Sequence, residues 1–289
     1  MDEKDIDTIL TLAEMQNLTR AAERLYLTQP ALTKRIQHLE DDLGVPLLYR
    51  TPKGIIFTPE GETVVEYAKA LSVTMRKMRE HISAEHGNRY GPLHLGCATQ
   101  YAHYRLPRIL NGFLEKYPQI NVDVVADRSI NIQREMNRNS FSVAIIRGDF
   151  EWNGCKKMIS SESYYLVCKH ETSNDQLQNI LYIHQKIDNL GQELADEWVR
   201  NNLSFEPRSR VESNSIEVCL SMVNQGIGWA ILPGICLERF SGYKIPIYSK
   251  EGAPIVRNTY LCYKKSELVL PQVKKFVEHI EMSEWTDGC

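Results

Sequence analysis

Apolar residues recur with a helical period through the first eighty-five positions and with strand-like alternation after about position 90. Ile6, Ile9, Leu10 and Ala13 define the buried face of a first helix, with Leu18 and Leu25 of the next segment as its expected partners. From Leu18 to Leu43 the chain reads as a short helix, a tight turn and a longer helix. Ala21 and Ala22 allow close helix approach. Thr28 is placed as an N-cap, and Pro30 falls in the first turn, where a missing N–H costs nothing. Leu32, Ile36, Leu39 and Leu43 form the expected buried stripe of the longer helix. Its opposite face carries Gln29, Thr33, Lys34, Gln37 and His38, which hydrogen-bond or are cationic. Gly44 suits the C′ position. Two helices joined by a turn, the second polar outward, describe either a solvated αα-hairpin or a helix-turn-helix that reads the major groove.

Val45 to Phe57 places Pro46, Pro52 and Gly54 between apolar residues, the pattern of a two-stranded wing turning at Pro52-Lys53-Gly54. Arg50 and Lys53 then fall where phosphates run, so they position the domain while the recognition helix specifies sequence. Thr58-Pro59 starts another helix. Along it Val64, Ala68, Leu71, Met75, Met78 and Ile82 repeat at alternating spacings of four and three. A heptad seam this narrow needs a partner, and these six residues are expected to meet a second copy rather than the chain's own core. A dimer puts two recognition helices on two half-sites, which makes a partly palindromic operator the expected target.

Gly87 to Pro92 reads as a hinge. Strand-like runs follow at Leu93–Cys97, Ile120–Val124, Val143–Ile146, Tyr164–Cys168, Ile180–Ile183, Gly228–Pro233 and Thr259–Tyr263. Helical patterns lie between them, near Leu106–Phe113, Asn131–Arg138, Gln192–Asn201 and Glu217–Gln225, and a last one carries Val273, Phe276, Val277 and Ile280. The alternation implies a parallel sheet with helices on both faces, and two lobes joined by crossing strands suit its length. The expected domains are residues 1–58, a linker helix over 59–87, a first lobe of 91–162 with 267–289, and a second lobe of 163–266.

Composition changes this picture little: the chain is 43% hydrophobic and 25% charged, with a net charge of −3. Locally the balance shifts. Between Arg20 and Phe57, six basic residues face four acidic ones, a surplus of two positive charges where phosphate contact is expected. The polar, acidic start is unlike a signal peptide, and no apolar run reaches spanning length, so a cytoplasmic protein without membrane contact is expected. Seven cysteines stand apart with no metal-ligand spacing, so neither a metal nor another cofactor is implied. No GxSxG, HExxH, Walker or GxGxxG motif occurs, which argues against an enzyme.

Ligands of open α/β sheets bind beyond the carboxyl ends of strands. Three segments qualify: Ala98-Thr99-Gln100-Tyr101, Arg147, and Ser213-Asn214-Ser215. Their hydroxyls, backbone N–H groups and single guanidinium suit a small anion, most simply a carboxylate. The alternatives are ordinary N-caps at Thr99 and Ser213, and a surface pair of Arg147 with Asp149 or Glu151.

The run Thr28-Gln29-Pro30-Ala31-Leu32-Thr33, with Leu39-Glu40, Leu43-Gly44-Val45-Pro46-Leu47-Leu48 and Arg50-Thr51 after it, closely resembles the N-terminal domain of LysR-type transcriptional regulators. Weaker motifs extend the resemblance: Leu106-Pro107, Ile109-Leu110, Phe113 and Tyr117-Pro118; Val143-Ala144-Ile145; and Gly226, Gly228 and Leu232-Pro233. The resemblance implies a winged helix-turn-helix, a dimerising linker helix, and a regulatory domain that looks like a periplasmic binding protein. It implies double-stranded DNA, a small-molecule effector between the lobes, a homodimer or homotetramer, and RNA polymerase as partners. At the wing turn the family's usual Gly-Arg pair is Pro52-Lys53 here, which keeps a charge and loses a fork. The family's peroxide sensors use a cysteine pair in the second lobe, for which Cys219 and Cys236 are the candidates.

Overall fold

The computed structural model describes residues 1–52, 54–85, 90–186, 189–207 and 209–282. It divides the chain into two compact units, one built on the first eighty-nine residues and one on the remainder.

The first unit opens with α1 (Glu3–Met15), α2 (Leu18–Arg24) and α3 (Gln29–Leu43). Each start is fixed by a side chain: Asp2, Asn17 and Thr28 accept from the backbone N–H groups of Asp5, Arg20 and Ala31. Gly44 ends α3 with φ of 72°, a left-handed conformation that glycine adopts without penalty. Strands β1 (Leu48–Thr51) and β2 (Gly54–Phe57) form the antiparallel wing. Then α4 runs from Pro59 to Glu85, and the wholly buried Thr58 both caps it and donates to the carbonyl of Pro46.

The first helix serves two clusters. Ile6 and Ile9 meet Leu39, Leu47, Val65 and Ala68, while Leu12 meets Ala21, Ala22, Leu32 and Ile36. The expected partners Leu18 and Leu25 therefore belong to Leu12 rather than to Ile6 and Ile9. On α3 the stripe ends early: Leu32, Ile36 and Leu39 are buried, but Leu43 is exposed at the helix end. The heptad row on α4 is divided. Val64, Ala68 and Met75 belong to the chain's own core, with Ala68 at 0% exposure, so Ala68 has no surface left for a partner. Leu71, Met78 and Ile82 remain 41%, 53% and 52% exposed.

The second unit is a nine-stranded sheet with helices on both faces. Its strands are β3 (Leu93–Ala98), β4 (Val122–Asp127), β5 (Val143–Arg147), β6 (Cys155–Cys168), β7 (Leu181–Gln185), β8 (Ser209–Ser213), β9 (Gly228–Pro233), β10 (Tyr243–Pro246) and β11 (Val256–Tyr263). Their order is β4-β3-β5-β11-β6-β9-β7-β8, with β10 on β6. The outer portions are parallel, but β11 runs antiparallel to both β5 and β6, and β6 antiparallel to β9, so the sheet is mixed. Residues 155–163 of β6 pair with β11, and 164–168 pair with β9 and β10. One strand thus serves two sheet regions, the crossing expected of a two-lobe domain. Because β11 pairs with β5, residues 256–263 belong with the first lobe, and the return expected at 267 comes earlier, near Ile255. Helices α5 (Thr99–Tyr104), α6 (Leu106–Lys116), α7 (Ser129–Asn137), α8 (Asn174–Leu177), α9 (Asn189–Asn202), α10 (Ile216–Gln225) and α11 (Pro271–Met282) cover the sheet. Alternate residues feed opposite layers: Trp229 and Ile231 pack beside Trp198 of α9, whereas Ala230 and Leu232 pack beside Cys219 of α10.

Candidate nucleic-acid interface and effector cleft

The polar face of α3 is presented to solvent. Thr28, Gln29, Pro30, Lys34 and Gln37 are exposed, Thr33 is half-buried, and Arg50 projects from the wing. Thr28 accepts from the Ala31 N–H as the cap of α3, and Gln29 accepts from the Thr19 hydroxyl at 3.3 Å. Lys53 lies outside the described residues. Two other charged residues of α3 are turned to structure. Arg35 pairs with Asp5 of α1 at 3.3 Å, and Glu40 accepts from the backbone N–H groups of Leu47 (2.7 Å) and Leu48 (3.3 Å). Glu40 therefore anchors the wing to α3, and its charge is directed at the fold rather than at DNA.

Tyr26, in the turn before α3, was not among the expected contacts. It holds φ of 56° and is 97% exposed. A left-handed tyrosine gains nothing from the fold and is strained by its Cβ. No hydrophobic period marks it; the only sequence signal is an aromatic between Leu25 and Leu27 where a turn must form.

In the second unit, the segments expected at the strand ends converge. Arg147 ends β5 with its side chain 2% exposed. Its guanidinium pairs with Glu162 of β6, itself 10% exposed, and donates to Gln100 of α5 at 3.5 Å. This corrects the surface pairing with Asp149 or Glu151; Asp149 instead accepts from the Tyr260 hydroxyl. Strand register sets Arg147, Thr259 and Ser160 side by side across β5, β11 and β6. Beside them Arg257 is buried, donating to the Tyr164 hydroxyl and the Arg147 carbonyl.

The opposite wall belongs to α10. Its N-cap is Ser215, which accepts from Val218 N–H at 3.3 Å and donates to Glu217 at 2.6 Å. Ser213 bonds to the Ser215 backbone, and Asn214 is exposed. Neither Thr99 nor Ser213 is a cap: α5 begins after Ala98, with Thr99 exposed in its first turn. Tyr101 is buried and Tyr104 packs beside Cys236, where burial first, and then the neighbouring Cys236 and Glu217, raise its phenol. Arg105 reaches across to Glu238. Cys236 packs in one cluster with Ile216 and Cys219 of α10 and with Tyr104 of α5. Burial pushes the Cys236 thiol up to about 12 against the pull of Arg147, and burial also raises Cys97 and Cys219.

Comparison with known proteins accounts for both units. Residues 4–62 match the bacterial regulatory helix-turn-helix model of the lysR family, and residues 86–283 match the LysR substrate binding domain. The chain is 32% identical over 282 residues to the uncharacterized HTH-type transcriptional regulator YraN of Bacillus subtilis, covering 97% of this chain and 98% of that one. It is 30% identical to YkuM of the same organism, covering 97% of each. Among solved structures, full-length CbnR complexed with its target DNA superposes with a TM-score of 0.72 at 21% identity, covering 97% of this chain and 99% of that one. Full-length OxyR from Pseudomonas aeruginosa does so at 0.67 and 21%, covering 98% and 95%. Among the described residues no helix is long and apolar enough to cross a membrane. The chain belongs to the LysR family of DNA-binding transcriptional regulators.

Proposed function

We propose that the protein binds a partly palindromic operator as a homodimer or homotetramer, and that a small molecule held between the two lobes of the regulatory domain alters its transcriptional output. The observation that carries the DNA reading is the exposed face of α3, which presents Gln29, Lys34 and Gln37 to solvent, together with the exposed Arg50 of the wing. Gln29 and Gln37 are amides able to read adenine edges, whereas Lys34 and Arg50 neutralise phosphate. Tyr26 adds a contact to the backbone beside the recognition helix. Leu71, Met78 and Ile82 form the part of α4 open to a second copy.

The effector reading rests on three chain segments: Gln100 accepts from Arg147, and Tyr104 of the same helix packs with Cys236 and with α10, the helix that Ser213 and Ser215 precede. A switch then requires that the ligand bind two arrangements of the protein with different affinity. The test combines fluorescence anisotropy on operator fragments with a salt titration. Sequence-dependent binding whose logarithm falls linearly with the logarithm of salt supports the reading. Equal affinity for operator and scrambled DNA would refute a sequence reader.

A further inference from the structure

Strand alternation gives the second lobe two faces. On β7, Ile183 joins Cys219 and Val223 of α10, whereas Tyr182 joins Trp198 and Val199 of α9. His184 follows Tyr182 to the α9 side and meets Asp196 there. On this side, away from α10, lies a groove of about 780 Å³, walled by β7, α9, residues 203–207 and Glu212 of β8. Its size is that of a site for a small organic molecule. The floor is apolar and held in place: Tyr182 is 5% exposed, stacks on the buried Trp229 with ring centroids 4.4 Å apart, and lines the groove with Val199, Leu203 and Phe205. Among the described residues the Tyr182 hydroxyl makes no hydrogen bond, unlike most polar groups so enclosed. The rim is acidic. Asp196, Glu206 and Glu212 line it with one guanidinium, Arg200. The His184 imidazole lies between two of these acids, Nε2 3.0 Å from Asp196 and Nδ1 3.8 Å from Glu212, and Lys186 takes the other oxygen of Glu212 at 2.6 Å. Over these described residues, Lys186 included, the balance is negative with a neutral imidazole and zero with a charged one. It is positive in neither state, so an anion finds no net attraction here.

We propose that this groove on the α9 face of the second lobe binds a small organic cation, a primary amine on an aromatic or branched aliphatic body, at a site separate from the cleft that contains Arg147. The ammonium donates to Asp196 and Glu206, charge-assisted bonds stronger than neutral ones. The apolar body covers Tyr182 and Phe205, whose ring faces also attract a cation. The Tyr182 hydroxyl gains the partner that the fold does not give it.

Full-length protein is titrated by calorimetry with phenethylamine and isopentylamine, each beside the carboxylate on the same skeleton, 3-phenylpropanoate and 4-methylpentanoate. At least one amine should bind about tenfold or more tighter than its carboxylate. Asp196→Asn should weaken that amine about tenfold and bring the two charge types close together. If that variant does not fold, Glu206→Gln, at the exposed acid of the rim, is read in the same way. Leu203→Trp, which fills the groove, should abolish binding of the amine. Arg147→Gln, in the cleft, should leave its affinity unchanged. Carboxylates that bind as tightly as the amines would overturn the ligand class, and no binding of either amine would overturn the site. An amine whose affinity survives Asp196→Asn, Glu206→Gln and Leu203→Trp, or is lost in Arg147→Gln, would overturn its placement in this groove.

Discussion

At Tyr26 the needs of the fold and of binding part company. Its left-handed backbone costs about 1 kcal/mol relative to a residue at home there, and the exposed ring recovers none of it. Asparagine tolerates this conformation. Tyr26→Asn should thus leave stability unchanged or raise it by up to about 1 kcal/mol, measured by denaturant unfolding. The same change should weaken operator and scrambled DNA in equal proportion, because the contact is to the backbone. Unaltered DNA affinity would return Tyr26 to the status of a strained turn residue. Gln29 and Arg50 separate in the other direction. Gln29→Ala should relax discrimination at one base pair by about 1–3 kcal/mol, the worth of a bidentate amide contact. Arg50→Ala should weaken all sequences alike and flatten the salt dependence by about one counterion. If both produced the same sequence-independent loss, the division between reading helix and positioning wing would be wrong.

Among the elements, α4 shows what a hydrophobic period conveys and what it leaves out. The row from Val64 to Ile82 identified a long helix with one apolar edge, and the helix is there. Period alone does not say which neighbour that edge meets. Val64, Ala68 and Met75 meet α1, α3 and the wing, and Leu71, Met78 and Ile82 remain exposed. The consequence is separable by mutation. Met78→Asp with Ile82→Asp should produce monomers by light scattering at concentrations where the unaltered protein is dimeric, with the melting of the winged domain nearly unchanged. Ala68→Asp, on the same row, should unfold that domain, since a buried carboxylate there has no partner. A double variant that stays dimeric would move the interface elsewhere. Helix starts were legible for a simpler reason: Thr28 and Thr58 announce themselves by capping chemistry that depends only on the next three residues. Leu43 was misplaced because a stripe is blind to where the opposing core ends.

Across the whole molecule, what stayed hidden in the sequence is what depends on distant pairing. Residues 155–163 are mostly polar and carry no strand signal in the sequence, yet they form more than half of β6, because β11, a hundred residues on, lies against them. The same separation conceals Glu162 as the partner of Arg147, while the nearby acids Asp149 and Glu151 look more plausible along the chain. Long-range pairing also bears on the redox reading. Cys219 and Cys236 both fall in the α10 layer, each buried by residues of strands and helix together. A sensing thiol needs access and thiolate character. Cys236 has neither, since burial pushes it up to about 12 and its thiol donates to the Pro233 carbonyl, and burial raises Cys219 as well. In a Cys289→Ser background, which sets aside the C-terminal thiol, a disulfide-exchange reagent added to folded protein should therefore label Cys155, the one half-exposed thiol among those described, well ahead of the five buried ones. The buried thiols should react only at the rate of local opening, and faster in denaturant. Millimolar peroxide should leave operator affinity unchanged over the same period. Rapid labelling of Cys219 and Cys236 in the folded state, with altered operator binding, would instead establish a redox-responsive regulator on this fold and displace the small-molecule effector as its signal.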